Sequence, residues 1–252
     1  MHAKKMLAAS GLLFCLCLIS GISCATYFSA PIPMRVVHHQ NKRAPGHDTL
    51  MVFLPGNRSL PEDFTKEEFI PILHDAYPDI DSLAVDATLG YYIKETLPER
   101  LLEDVIMPAR TMGYKRIWIT GISMGGSGAL WYVQKYPSTV QGLLLLAPFL
   151  ADKKIIDEID DAGGLIKWKP ALPLEQKNYQ RAQMLWLKHY MDPGLKLPII
   201  YLGFGGSDRF HQSDRLLADI LPAKQVLMIP GNHDWKTWRN IFKKFMQCRI
   251  LN

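Results

Sequence analysis

The sequence predicts an α/β domain with a mostly parallel central sheet, flanking helices and a small helical insertion. Three observations lead there. Apolar runs of strand length alternate with segments of helical spacing along most of the chain, the pattern of a parallel sheet covered by helices. One run, "VQGLLLLAP" at 140–148, is apolar almost throughout, as a strand buried on both faces must be. The stretch "IWITGISMGGSGAL" at 117–130 passes from strand formers into glycines and small residues around a single serine.

Taken in order, residues 1–25 stand apart from the rest. "MHAKKMLAAS" gives a positive start and "GLLFCLCLIS" an apolar stretch ending in small residues, which reads as a secretory signal. Two cleavage rules fit. Ser23, Cys24 and Ala25 suit ordinary signal peptidase, while "SGISC" is similar to a bacterial lipoprotein box ending at Cys24, with Gly21 where that box usually has leucine. Lipidation would leave Cys24 as an acylated N-terminus tethering the domain to a membrane, and an uncleaved leader would anchor it by the apolar stretch instead. The expected location is therefore outside the cytoplasm, periplasmic or membrane-associated.

The domain proper is expected over 26–252. "TLMVFLP" at 49–55 reads as a strand, followed by a helix opening near "PEDFTKEEF", where Pro61 suits a first turn. "DSLAVDA" is the next strand, and Leu97, Leu101, Leu102, Val105 and Ile106 give 95–112 helical spacing, stopped at Gly113. "KRIWIT" is a strand, and 124–136 a helix halted before Pro137. The rhythm breaks over about 150–195 into charged, Gly- and Trp-bearing segments, too long for a structureless loop, so this insertion should hold two or three short helices as a cap. "LPIIYLGF", a helix from about 212 to 220, "QVLMIP" and an amphipathic helix over 234–247 complete the domain.

Composition narrows the function. The 252 residues carry a formal net charge of +5, two of it from Lys4 and Lys5 of the leader, and no basic–aromatic stripe appears, which argues against nucleic-acid binding. Four cysteines, three of them within residues 1–25, build no disulfide scaffold. His38, His39, His47, His74 and His189 show no metal-ligand spacing and read as surface or packing residues.

Gly121, Ser123 and Gly125 form G-x-S-x-G between a predicted strand and a predicted helix. A nucleophile on so sharp a turn sits in a strained conformation at the C-terminal edge of the sheet, and flanking side chains would clash there. A serine hydroxyl stays protonated at neutral pH, so Ser123 needs a base and a group to orient it. Asp208 follows a strand end in "GGSDRF" as candidate acid, with Asp152 the alternative; His233 follows the last strand in "PGNHDW" as candidate base. His211, Asp214, Asp219 and Asp234 read as helix-start or helix-surface residues. Two amides would face an oxyanion: Met124, after the nucleophile, and Asn57, in "LPGNRS". "LGYY" follows another strand end, so Tyr91 or Tyr92 lines the crevice, and Trp168, Trp186 and Tyr190 of the cap overhang it unless they pack among themselves.

Together "LPGNRS", "GISMGG", the insertion, "GGSDRF" and "GNHDW" resemble the α/β-hydrolase superfamily over nearly the whole domain, and "LPGNRSLPEDF" with "PGNHDWKTW" is similar to bacterial esterase-like members. Pro55-Gly56 stands where many members have His-Gly. The resemblance implies an α/β-hydrolase fold and a serine hydrolase cleaving carboxylic esters, or thioesters, of small molecules through an acyl-enzyme, with neither metal nor organic cofactor. Acyl transfer to an alcohol, or a catalytically silent member acting as a binding protein, are the other readings. Oligomeric state stays open.

Overall fold

Seven strands form one sheet in the order β1-β3-β2-β4-β5-β6-β7, parallel except for β1, which runs antiparallel to β3 along one edge. The computed structural model describes residues 27–41, 47–171 and 179–251. The expected leader, with Cys24, lies outside them.

The strands are β1 (Val36–His39), β2 (Thr49–Leu54), β3 (Ile80–Val85), β4 (Arg116–Ile122), β5 (Gly142–Leu146), β6 (Ile199–Gly205) and β7 (Val226–Ile229). β2, β3 and β5 are buried along their whole length, as apolar strands covered on both faces should be. From β2 the chain adds β3 on one side, then crosses to place β4 on the other. The order therefore reverses between β2 and β4, and the C-terminal ends of these two strands open a crevice of the kind that holds ligands in open α/β sheets.

The helices are α1 (Asp63–Lys66), α2 (Phe69–Ala76), α3 (Leu89–Ile93), α4 (Leu97–Leu101), α5 (Met107–Thr111), α6 (Met124–Lys135), α7 (Lys153–Asp161), α8 (Tyr179–Leu187), α9 (His211–Ala218) and α10 (Trp235–Gln247). On one face α1, α2 and α10 meet β2 through rings: Phe69 packs on Phe242 at 4.8 Å and Phe53 on Phe64 at 4.8 Å, all fully buried. Each such side chain contributes about 1.5–3 kcal/mol by leaving water.

Three elements differ from the sequence expectation. β1 was not foreseen, because "VVHH" is a short, half-exposed edge strand without alternation. The helix expected over 95–112 is interrupted by a π-helical turn at Leu102–Ile106; Pro108 has no N–H for the Asp104 carbonyl, and Met107 N donates to Leu102 O, five residues back. The helix expected near Pro61 is two, α1 and α2, separated at Glu68, whose φ is 66°. Between β5 and β6 the described residues hold α7 and α8.

Candidate active site

β4 ends at Ile122 and α6 begins at Met124, leaving one residue for the turn. Ser123 takes φ 52° and ψ −115°, a conformation that costs a non-glycine residue on the order of 1–3 kcal/mol. The surroundings hold it there. Ser123 N donates to Leu146 O of β5, and Ser123 O accepts from Gly126 N and Phe149 N, each at 3.0 Å. The flanking glycines are required by space rather than by torsion: a Cβ on Gly121 would lie 2.4 Å from Gly125 O, and one on Gly125 2.2 Å from Leu54 O.

The base and acid arrive on neighbouring strand ends. Asp208 follows β6 and His233 follows β7, and the two loops are tied where Ser207 N donates to Gly231 O at 2.9 Å. A Cβ on Gly205 would fall 2.3 Å from that same carbonyl, so the loops close only over glycine. His233 Nδ1 is 2.9 Å from both carboxylate oxygens of Asp208, and His233 Nε2 is 3.0 Å from Ser123 Oγ. With the ring proton on Nδ1, that nitrogen donates to Asp208 and Nε2 accepts from the serine hydroxyl. Asp208 Oδ1 also accepts from Phe210 N at 2.8 Å. The imidazole stands edge-on between Phe210 and Trp238, each ring centroid 4.8 Å away, which fixes its plane.

Asp152 stands elsewhere: exposed, at the N-cap of α7, its amide donating to Gln180 Oε1. Asp234 caps α10 by accepting from Thr237 N at 2.8 Å. Asp214 differs from the sequence reading. It is fully buried in α9, and neither carboxylate oxygen has a hydrogen-bond partner among the described residues. Burial, reinforced by the neighbouring Asp208 charge, pushes its carboxyl well above the usual range, so it is held in the neutral form.

The N-terminal end of α6 lies at Ser123, with the Met124 amide in its first turn free of any intrahelical acceptor. The loop after β2 presses against the serine: a Cβ on Gly56 would sit 3.5 Å from Ser123 Cβ, which brings the following residue, Asn57, alongside. The Asn57 side chain accepts a short hydrogen bond from Tyr27 Oη.

These groups open into a cavity of about 920 Å³, lined by Leu89, Tyr92, Trp131, Phe149 and Phe210 among others. Tyr92 is one of the expected wall residues, its hydroxyl donating to Met124 O at 3.1 Å. Tyr91, Trp168 and Trp186 are not, and each has a physical reason. Tyr91, about 100° around the same helix, is buried in the core with its hydroxyl donating to Pro31 O at 2.6 Å, and burial lifts its pKa to about 12. Trp168 is buried inside the cap and donates Nε1 to Glu158 at 2.9 Å. Trp186 lies one turn beyond the wall residue Gln183 and packs edge-on against Tyr190, while Tyr179 and Gln183 of α8 face the cavity. The walls missed from sequence had two signals: Ser127, Trp131 and Gln134 follow Met124 at helical spacing along α6, and Phe149 and Phe210 follow strand ends.

The profile of a family described as serine aminopeptidase, S33, matches residues 100–192, which include Ser123 but neither Asp208 nor His233. No curated protein matches the chain. Among solved structures, Est1E from Butyrivibrio proteoclasticus superposes with a TM-score of 0.58 at 17% identity, covering 87% of this chain and 95% of its own. The fluorophosphonate-binding serine hydrolase FphF of Staphylococcus aureus gives 0.57 at 15%, covering 85% and 91%. The S-formylglutathione hydrolase FrmB of Staphylococcus aureus gives 0.55 at 14%, covering 87% and 98%. The chain has the α/β-hydrolase fold.

Proposed function

We propose that this chain of α/β-hydrolase fold is a serine hydrolase that cleaves carboxylic esters, with thioesters as near relatives in chemistry, through an acyl-enzyme on Ser123. The observation that carries the reading is the line from Asp208 through His233 to Ser123 Oγ, with contacts of 2.9 and 3.0 Å. A hydroxyl within reach of an unprotonated imidazole nitrogen, on a backbone that holds it in a strained turn, is arranged for attack on a carbonyl.

In the first half-reaction Ser123 Oγ bonds to the acyl carbon as His233 Nε2 takes its proton. Negative charge gathers on the carbonyl oxygen, facing the amides of Met124 and Asn57, and the N-terminal end of α6 adds to their field. Asp208 steadies the imidazolium. His233 then gives the proton to the departing alkoxide or thiolate, which leaves as alcohol or thiol. Water repeats the sequence, losing a proton to His233 as it attacks the acyl-enzyme, and Ser123 recovers its hydrogen. Acyl transfer uses the same steps with an alcohol in place of water.

A fluorophosphonate probe should label the protein at Ser123, with labelling and hydrolysis of 4-nitrophenyl acetate both lost in Ser123→Ala and His233→Ala. A folded Ser123→Ala variant that still turns over the ester overturns the reading. Unlabelled, inactive wild-type protein favours the silent binding fold.

A further inference from the structure

The N-terminal path of the described chain runs along the cavity mouth. Tyr27 hydrogen-bonds to Asn57, which lines the cavity, and Phe28 stacks edge-on against Tyr27 with centroids 5.0 Å apart. The next residues are pinned to α3. Thr88 Oγ1 donates to Ser29 O, Tyr91 Oη donates to Pro31 O, and the strap lies so close that a Cβ on Gly90 would fall 2.1 Å from Ser29 O.

Exposed apolar side chains stand on this rim beside the charged Glu95, Lys135 and Arg209. Phe28 is 45% exposed, and Ile93 and Tyr179, both lining the cavity, are 62% and 64% exposed. The described chain begins at Tyr27, beside this mouth. Residues 12–19 read "LLFCLCLI", wholly apolar. From Cys24 to Tyr27 the chain spans three residues, at most about 10 Å extended, and from Ile22 at most about 18 Å. An acyl chain on Cys24 or an apolar anchor ending near Ile22 would hold the mouth within that distance of the lipid.

We propose that the cavity mouth docks on a phospholipid bilayer, tethered by the segment before Tyr27 and seated by Phe28, Ile93 and Tyr179, so that Ser123 receives an amphiphilic acyl ester delivered from the membrane. The substrate half rests on the hydrolase reading; the docking half does not. Exposed apolar side chains at a pocket mouth suit a lipid surface, and a long acyl chain passing from bilayer to cavity avoids water.

The test uses the full chain with its leader, recovered from the membrane fraction and reconstituted into vesicles of phosphatidylethanolamine and phosphatidylglycerol at 3:1. Hydrogen exchange should show protection at 27–34 and 89–95 in vesicles. Phe28→Asp should lower the rate on vesicle-embedded 4-nitrophenyl palmitate relative to soluble 4-nitrophenyl acetate at least tenfold. Met112→Asp, an exposed site at the end of α5 that leads into the N-terminal end of β4 and does not line the cavity, should leave that ratio unchanged. An unchanged ratio in a folded Phe28→Asp variant, or a full chain that fails to float with the vesicles, overturns the proposal. Loss of acetate hydrolysis and fluorophosphonate labelling in the wild type would instead sink the hydrolase reading, leaving flotation and exchange to judge docking.

Discussion

A Cβ placed on Gly125 would come within 2.2 Å of the carbonyl oxygen of Leu54, so the first turn of α6 rests directly on the end of β2. This contact sets the distance between the serine turn and the loop carrying Asn57. In an exposed helix, glycine to alanine gains about 1 kcal/mol of helix propensity. Here the obstacle is backbone, which cannot rotate aside. Gly125→Ala should therefore lower the melting temperature and reduce kcat for an activated ester at least a hundredfold; a variant as stable and active as wild type would show that α6 can shift freely.

Asp208 is the carboxylate against His233 Nδ1, while Asp152 stands exposed at the N-cap position of α7. Asp208→Asn presents an amide that can hold the wrong tautomer, so kcat should fall by about 10³–10⁴ at neutral pH. Asp152→Asn should change it less than twofold. Steady-state rates on one soluble ester, with labelling of Ser123 as a count of folded sites, check both.

Asp214 predicts a pH dependence of stability. Its folded pKa is raised, by burial first and by Asp208 second. The folded chain thus holds a proton that the unfolded chain releases above the ordinary value of 3.8. The contribution of this group is complete below that value and declines as pH rises toward the folded pKa, with a slope approaching 1.4 kcal/mol per pH unit at about one proton. Asp214→Asn should remove that slope, so that the difference between variant and wild-type melting curves shifts in the variant's favour from pH 4 upward. Parallel curves would contradict the buried neutral carboxyl.

The walls of the cavity predict an acyl-length preference. Each methylene buried among apolar side chains is worth about 0.8 kcal/mol, roughly fourfold in kcat/KM where the transition state feels it. For 4-nitrophenyl esters, kcat/KM should climb from acetate to hexanoate. Trp131→Ala should cut the longer esters about tenfold more than acetate, and a flat series in wild type would count against acyl binding in this cavity.

Most of the sheet was legible in the sequence because parallel strands are apolar runs, and Ser123, Asp208 and His233 were legible because each follows one. What escaped depended on direction. Tyr91 and Tyr92 are neighbours on one short helix, and only the rotation between them decides which meets the cavity and which meets Pro31. Asp214 has the sequence setting of a surface charge, yet α9 turns it inward. Trp168 has the sequence setting of a pocket residue, yet Glu158 holds its indole inside the fold. Strand β1 was lost to the opposite problem, being too short and too polar to announce itself.

His233 sits on the seventh strand's trailing loop and meets a serine 110 positions earlier. Until that last crossover has docked, Ser123 is an ordinary alcohol with no neighbour to take its hydrogen. On the proposed hydrolase reading, a molecule in which the β7 edge has not yet docked should therefore be inert.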